Sequence, residues 1–162
     1  MGLFKVHFAL ICFLTLAIFH KTHAQNSKQD YLDAHNSARA EVGVENLVWN
    51  ATLVAYAEGY ASQRVGDCNL VHSGGPYGEN LAEGSGEFTG TDAVNLWVDE
   101  KASYDHTTNT CASGSVCGHY TQVVWRNTVQ VGCARVQCVN NGWWFVICSY
   151  YPPGNYNNES PY

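Results

Sequence analysis

The sequence of 162 residues is poor in basic side chains. Lys and Arg together number 8, against 14 Asp and Glu, which gives a formal net charge of −6. A protein that works on nucleic acid or on an anionic membrane normally shows the opposite balance. The composition therefore predicts no nucleic-acid partner.

The sequence also lacks the patterns of fibrous and disordered proteins. Its 15 Gly and 4 Pro follow no period, which excludes a collagen-like fibre. A disordered acidic chain would have few aromatic residues, yet 5 Trp, 10 Tyr and 6 Phe are present. The length suits one globular domain, which can bury roughly two-thirds of its surface on folding.

No apolar run is long enough to cross a membrane. The longest lies at residues 8–19, whereas a transmembrane helix needs about 20 apolar residues. A basic residue precedes this run and small residues follow it, as in a secretory signal peptide. We predict a signal peptide at residues 1–24, cleavage between Ala24 and Gln25, and a secreted mature domain at residues 25–162 with no transmembrane segment.

No unpaired cysteine remains for a catalytic thiol. One Cys lies in the predicted signal peptide, and an even number in an exported chain predicts three disulfides, although six cysteines allow 15 pairings. The spacings fit a zinc finger poorly. The six cysteines of the mature domain are Cys68, Cys111, Cys117, Cys133, Cys138 and Cys148.

The hydrophobic pattern changes from a helical to a strand period along the chain. Helices are predicted over 29–40, from an N-cap at Asn50 to near Gly66, and after a cap at Thr91 or Asp92. A glycine-rich stretch at 73–90 separates the last two. Strands are predicted over 120–125, 131–136 and 143–148. Helices first and an antiparallel sheet later indicate an α+β fold in one domain.

Two histidines lie at positions where they could bind a metal ion or take part in catalysis. His72 precedes the glycine-rich stretch, which carries Glu79, and His119 opens the first predicted strand. Two imidazoles and a carboxylate could form an open Zn²⁺ site or perform acid–base catalysis. No short metal-binding signature is present, so ordinary histidines hydrogen-bonded at loop ends remain the alternative.

Several motifs resemble those of the CAP superfamily, and within it the plant pathogenesis-related class 1 proteins. They occur in family order from about Gln29 to the C-terminus. The motifs are Gly78-Glu-Asn-Leu81, the segment 93–100, Cys117-Gly-His-Tyr-Thr-Gln-Val-Val-Trp125, Gly132-Cys133, and an ending from Pro152 to Pro-Tyr162.

The resemblance implies a three-layer α-β-α sandwich with a central antiparallel sheet. It also implies a cavity lined by a tetrad of two His and two Glu, which falls here on His72, Glu79, Glu100 and His119. In some relatives the two histidines hold a divalent metal, commonly zinc, so a metal is expected to be optional rather than required. From the sequence alone, Glu100 would instead be a solvated surface residue.

The family's disulfide pattern would pair Cys68 with Cys138, Cys111 with Cys117, and Cys133 with Cys148. The ending resembles a releasable C-terminal signalling peptide, residues 152–162, freed by cleavage between Tyr151 and Pro152. The chain departs from the family at Ser149, where an Asn is usual.

The resemblance implies a monomeric defence protein of the plant apoplast that acts on fungi or oomycetes by binding sterol or another lipid of the pathogen membrane. The segment from Trp97 through Tyr104 to Asn109 matches the family's sterol-binding loop, although both aromatics could simply fill the core. The alternative is a metal-assisted or acid–base hydrolase that uses the tetrad, for which no nucleophile is identifiable.

Two glycosylation sequons begin at Asn50 and Asn158. Because Asn50 is also the predicted N-cap of a helix, a glycan is less expected there.

Overall fold

The computed structural model describes residues 26–162, so the predicted signal peptide and its cleavage site lie outside the described residues. The described part contains four α-helices, one 3₁₀ turn and six strands. The helices are α1 (Lys28–Glu41), α2 (Ala51–Arg64), α3 (Gly90–Asp99) and α4 (Gly118–Val123), with the 3₁₀ turn at Glu100–Ser103. The strands are β1 (Val48–Trp49), β2 (Gly78–Gly84), β3 (Tyr104–Asp105), β4 (Thr110–Cys111), β5 (Gln130–Gln137) and β6 (Trp144–Tyr151).

The main sheet has the strand order β1-β5-β6-β2. Strands β5 and β6 pair antiparallel, as predicted, β2 is a third antiparallel strand beside β6, and the short β1 runs parallel to β5. A separate two-stranded hairpin joins β3 and β4. Helix α2 packs on β5 and β6, whereas α1, α3 and α4 pack on one another. The arrangement is the predicted α-β-α sandwich.

Alternation along β6 divides the interior into two cores. Val146, Cys148 and Tyr150 belong to the core shared with α1, α3 and α4. Phe145 and Ile147 belong to the smaller core under α2. Because successive side chains of a strand point to opposite faces, one strand can supply both layers.

The first two helices lie where the sequence predicted them, but α3 begins earlier. Its N-cap is Thr89 rather than Thr91 or Asp92. The Asp92 N–H donates to the Thr89 hydroxyl at 3.1 Å, and the Thr89 N–H donates to the Asp92 carboxylate at 2.7 Å. This reciprocal capping box satisfies two backbone donors of the first turn.

The predicted strand at 120–125 is wrong, because most of this segment is helix α4. Tyr120, Val123 and Val124 are buried, and their spacing places them on one face of a helix. The β-branched composition favoured a strand, but packing against the core outweighed that weak preference. His119 consequently lies in the first turn of a helix.

Strand β2 was not predicted, because glycine and charged residues are uncommon in strands. Gly78 is required by close packing: a Cβ there would lie 2.2 Å from Oε1 of Gln122. Strand β2 carries Glu79, and the loop before it carries His72, the partner of Glu79 in the tetrad.

Residues 26–162 contain three disulfides, and they are the pairs that the resemblance implied. Cys68–Cys138 joins residues 70 positions apart, Cys133–Cys148 joins β5 to β6, and Cys111–Cys117 ties β4 to the start of α4.

A buried guanidinium fixes the end of α4. Arg39 is fully buried, and it donates hydrogen bonds of 2.6–2.9 Å to the backbone carbonyls of Glu45, Val123, Trp125 and Thr128. Burial lowers the pKa of Arg39 to about 10, so the side chain stays charged at neutral pH.

Candidate functional site

The tetrad is arranged as two histidine–carboxylate pairs. In the first, Nδ1 of His72 donates to Oε1 of Glu79 at 2.7 Å. Ser73 also donates to this carboxylate, through its N–H at 3.0 Å and its hydroxyl at 2.5 Å. Glu79 is thus fixed by three donors from the loop before β2, while the His72 side chain is 64% exposed.

The second pair joins the 3₁₀ turn to α4. Nδ1 of His119 donates to Oε1 of Glu100 at 2.6 Å, and the N–H groups of His119 and Tyr120 donate to Oε2 at 3.0 and 3.2 Å. Burial alone would raise the pKa of Glu100, but these donors and the nearby imidazole outweigh it and lower that pKa. Glu100 therefore stays ionised, and because its side chain is only 17% exposed and accepts three hydrogen bonds, it is not a solvated surface residue.

A buried chain of hydrogen bonds leads from His119 into the core. The Asn80 amide donates to the carbonyl of His119 at 3.0 Å and to the Tyr150 hydroxyl at 3.3 Å. Tyr150 in turn bonds Nε2 of His35 at 2.8 Å. Because Asn80 follows Glu79 on β2, this strand connects the two pairs.

The position of the proton on His35 follows from its partners. Nδ1 lies 2.7 Å from the Tyr31 carbonyl, which can only accept, so Nδ1 carries the hydrogen and Nε2 accepts from Tyr150. Burial lowers the pKa of His35 to about 4, and the ring is neutral at physiological pH. Neither His35 nor Asn80 was singled out as functional, since a buried network leaves no short motif.

The two histidine–carboxylate pairs provide only part of the ligand set of a typical metal site. Each Nδ1 is held by a carboxylate, which leaves the Nε2 lone pair of His72 and of His119 without a hydrogen-bond partner within residues 26–162. A carboxylate behind a ligating imidazole is common at zinc sites. Within the same residues, however, no three His, Cys, Asp or Glu side chains are grouped to hold a metal ion. A metal site built from the tetrad would therefore have only the two imidazoles as protein ligands.

A cavity of about 330 Å³ opens beside the first pair. Its lining includes His72, Glu79, Gln122 and the segment 153–155. The Gln122 amide is fixed there, because its oxygen accepts from the Gly154 N–H at 2.9 Å and its nitrogen donates to Thr128 at 3.1 Å.

The two aromatic residues of the predicted sterol loop differ in accessibility. Trp97 is 2% exposed, and its indole N–H donates to the Leu81 carbonyl at 2.9 Å. Its ring stacks on His119 with centroids 6.4 Å apart. Tyr104 is half-buried, and its hydroxyl donates to Asn109 at 2.7 Å. Trp97 is therefore a core residue that supports the site, while the hairpin that begins at Tyr104 is exposed.

The C-terminal segment, residues 152–162, lies against α4 and the β3–β4 hairpin. Tyr162 stacks on His106 with centroids 4.3 Å apart, and its carbonyl lies 2.6 Å from Nε2 of that histidine. The Arg126 N–H donates to the Pro161 carbonyl at 2.7 Å. Further hydrogen bonds join Asn109 to Glu159, Thr121 and Gly118 to Asn155, and Tyr120 to Tyr162.

The two sequon residues lie in different surroundings. The Asn50 side chain caps α2 by accepting from the N–H groups of Thr52 and Leu53, and its amide nitrogen donates to Gln130 at 2.7 Å. That nitrogen is the atom a glycan would need. Asn158 is exposed in the C-terminal segment.

None of the helices within residues 26–162 is long and apolar enough to span a bilayer.

Comparison with known proteins gives concordant results. A profile of the cysteine-rich secretory protein family (CAP) matches residues 32–150. The chain is 69% identical to pathogenesis-related protein 1A of Nicotiana tabacum over 92% of its own length and 89% of that protein. It is 57% identical to pathogenesis-related leaf protein 4 of Solanum lycopersicum over the whole of both chains.

Solved structures agree on the fold. The venom allergen-like protein 4 of Schistosoma mansoni superposes with a TM-score of 0.65 at 25% identity, covering 83% of this chain and 92% of that one.

Proposed function

The chain belongs to the cysteine-rich secretory protein family, CAP, and from that premise we propose that it is a secreted plant defence protein against fungi or oomycetes that acts by binding sterol or a related lipid. The observation that carries the defence role is the likeness to pathogenesis-related proteins of tobacco and tomato over nine-tenths or more of the chain. Three disulfides support an oxidising, extracellular location such as the apoplast.

The proposed sterol wall is the β3–β4 hairpin with the 3₁₀ turn before it. Cys111–Cys117 ties the hairpin to α4, and buried Trp97 supports the turn from below. A sterol needs an apolar surface with few polar anchors. The half-exposed ring of Tyr104 provides apolar surface, and its hydroxyl adds no free polar group because it is already hydrogen-bonded.

Binding is favoured over hydrolysis by the hydrogen bonds of the tetrad. In residues 26–162 no Ser or Thr hydroxyl is hydrogen-bonded to a histidine nitrogen, which a hydrolase of the Ser–His type requires. The Ser73 hydroxyl donates to Glu79 instead. The proposal assigns no catalytic residue.

Metal binding is a secondary part of the proposal. Zn²⁺ would be held by Nε2 of His72 and of His119, with Glu79 and Glu100 orienting the rings and balancing the charge. Bound there, zinc would offer an open coordination position for a polar ligand. Affinity would be far below that of a closed four-ligand site, and the disulfides rather than the metal would stabilise the fold.

The sterol test uses a fluorescent sterol, dehydroergosterol, as the probe. Tyr104→Ala should weaken binding several-fold, because it removes the aromatic surface of the wall. Tyr156→Ala is the matched control on an exposed tyrosine outside the wall and should bind as wild type. Binding that survives in Tyr104→Ala, or that is lost in His72→Ala/His119→Ala alone, would place the sterol elsewhere.

The metal test is zinc calorimetry on wild type, His119→Ala and the exposed control His106→Ala. Only His119→Ala should lose binding. A chelator should leave the melting temperature of wild type unchanged. Equal binding by all three proteins would exclude the tetrad as the metal site.

A third part of the proposal concerns the C-terminal segment as the precursor of a signalling peptide. The Tyr151 side chain is half exposed next to the scissile bond. Mass spectrometry of the apoplastic protein should find chains that end at Tyr151.

A further inference from the structure

The C-terminal segment contacts the elements that carry both pairs of the tetrad. Residues 153–155 line the cavity of about 330 Å³ that is also lined by His72 and Glu79. Asn155 in addition forms hydrogen bonds with the start of α4, the helix that carries His119. Three consecutive residues of one segment therefore reach both pairs, which otherwise belong to separate parts of the chain.

The contact with the first pair runs through the side-chain amide of Gln122. Its oxygen accepts from the Gly154 N–H at 2.9 Å. A Cβ on Gly154 would lie 2.6 Å from Cγ of Trp125 and 2.9 Å from Nε2 of Gln122, so only glycine allows this approach. The same amide packs against Gly78, which directly precedes Glu79 on β2. Gln122 thus joins the C-terminal segment to the strand that carries the first pair's carboxylate.

The contact with the second pair is made by the side chain of Asn155. Its Nδ2 donates to the carbonyl of Gly118 at 2.8 Å, and its Oδ1 accepts from the Thr121 hydroxyl at 2.7 Å. Helix α4 has only six residues, and its N-cap residue, Cys117, provides no side-chain hydrogen bond to it. Because so short a helix is marginal by itself, its first turn depends on partners from outside the helix.

The second pair is complete only when the first turn of α4 is formed. Glu100 accepts from Nδ1 of His119 and from the backbone N–H groups of His119 and Tyr120. Two of these three donors belong to the backbone of the turn. An opening of the turn would therefore take donors from Glu100 and release the ring of His119 from its orientation.

We propose that the C-terminal segment, through Asn155, positions His119 against Glu100, so that the tetrad is a complete binding site only while the segment is docked. Asn155 is a positioning residue, because it acts on the tetrad through α4. The inference rests on the proposed function, which gives the tetrad its role in binding. Coupling of this kind is reciprocal, so a ligand held by the tetrad also strengthens the docking of the segment.

The chain offers a closely matched control for Asn155. Asn155 and Asn158 both lie in the C-terminal segment with a left-handed backbone, at φ values of 59° and 64°. The Asn158 side chain is exposed and has no hydrogen-bond partner within residues 26–162. Replacement by glycine removes either side chain without straining its backbone. The two variants therefore differ only in whether a contact with α4 is lost.

The first experiment measures hydrogen exchange by NMR on the full, oxidised, unglycosylated chain without metal. In Asn155→Gly, the N–H groups of His119 and Tyr120 should exchange at least about threefold faster, the effect of losing about one ordinary hydrogen bond. The ring signals of His119 should shift as well. Asn158→Gly should match wild type in both respects. The signals of Ile147, in the core under α2, should be unchanged in both variants.

The second experiment uses zinc as the probe of the tetrad. Calorimetry should give an affinity for Asn155→Gly at least about threefold weaker than for wild type, because His119 is less well oriented. Asn158→Gly should bind zinc as wild type does. In wild type, zinc should also slow the exchange of the Gly154 N–H, since the coupling acts in both directions.

Unchanged exchange at His119 and Tyr120 in Asn155→Gly would overturn the positioning role, whether or not zinc binds. Equal zinc affinity of Asn155→Gly and wild type would show that the docked segment does not complete the tetrad. A wild type that binds no zinc would refute the metal part of the proposed function instead, and the exchange experiment would then decide the role of Asn155 alone.

Discussion

Arg39 is the largest charged side chain buried within residues 26–162, and its partners are backbone carbonyls rather than a carboxylate. Those carbonyls belong to the loop after α1 and to the segment that ends α4. A single side chain thereby donates to carbonyls from two parts of the chain, and three of these hydrogen bonds are buried. Arg39 therefore holds the end of α4 in place, and α4 in turn positions His119.

Arg39→Met is expected to lower the free energy of unfolding by about 3 kcal/mol or more, because four carbonyls, three of them in buried hydrogen bonds, lose this donor while the volume is nearly kept. Arg126→Met is the control, since that side chain is exposed, and should change stability by less than about 0.5 kcal/mol. Urea unfolding of both variants measures the difference. Similar small losses in the two proteins would contradict the assigned role.

His35 makes the stability of the fold depend on pH. Its pKa is lowered to about 4 by burial, whereas an unfolded histidine has a pKa of about 6.5. The unfolded chain therefore takes up the proton first, and acid favours unfolding. The contribution is complete above about pH 6.5 and is lost as the pH falls toward 4.

Between pH 7 and pH 5, this one group should cost wild type about 2 kcal/mol of unfolding free energy. His35→Gln should show a correspondingly smaller loss, whereas His106→Gln, at an exposed histidine, should behave as wild type. Denaturant unfolding at the two pH values is the measurement. An unchanged pH dependence in His35→Gln would show that other groups cause it.

At the scale of elements, the helices with strong caps and the β5–β6 pair were predictable from local pattern. Asn50 caps α2 as expected, and β-rich runs around the Asn-Gly turn form β5 and β6. Helix α4 and strand β2 were not predictable, because their sequences favour the opposite structure and only tertiary packing decides them. Both carry tetrad residues. The tetrad itself was located through the family resemblance, and its division into two pairs required the structure.

Two glycines on facing elements should respond oppositely to the same substitution. A Cβ on Gly132 of β5 would lie 2.4 Å from the Val54 amide nitrogen and 2.6 Å from the Leu53 carbonyl carbon. Gly132→Ala must therefore push α2 away from the sheet and should cost about 1–3 kcal/mol. A Cβ on Gly59, within α2, meets nothing within 4 Å.

Gly59→Ala should accordingly stabilise the protein by up to about 1 kcal/mol through helix propensity. Thermal unfolding of the two variants beside wild type tests the pair. Stabilisation by Gly132→Ala would contradict the close packing of α2 on β5.

At the scale of the molecule, the disulfides differ in how much of the unfolded chain they constrain. Cys68–Cys138 spans 70 residues and Cys111–Cys117 spans 6. Loop entropy predicts a stabilisation of about 4 kcal/mol for the first and about 2 kcal/mol for the second. The first also joins the end of α2 to the end of β5.

Replacing both cysteines of a bridge by alanine tests this order. Cys68→Ala/Cys138→Ala should lose more unfolding free energy than Cys111→Ala/Cys117→Ala, as measured in guanidinium. The reverse order would show that the β3–β4 hairpin, and not the long loop, limits stability.

The contacts of the C-terminal segment determine what cleavage before Pro152 would achieve. Because its contacts with His106, Asn109 and Arg126 do not depend on the peptide bond before Pro152, cutting that bond converts one chain into a two-chain complex. After cleavage, gel filtration in native buffer should find the eleven-residue peptide with the body, and only guanidinium should separate them. His106→Ala should speed its dissociation. Cutting and liberating the proposed signalling peptide would then be two separately controlled events, because the body would retain the peptide after cleavage.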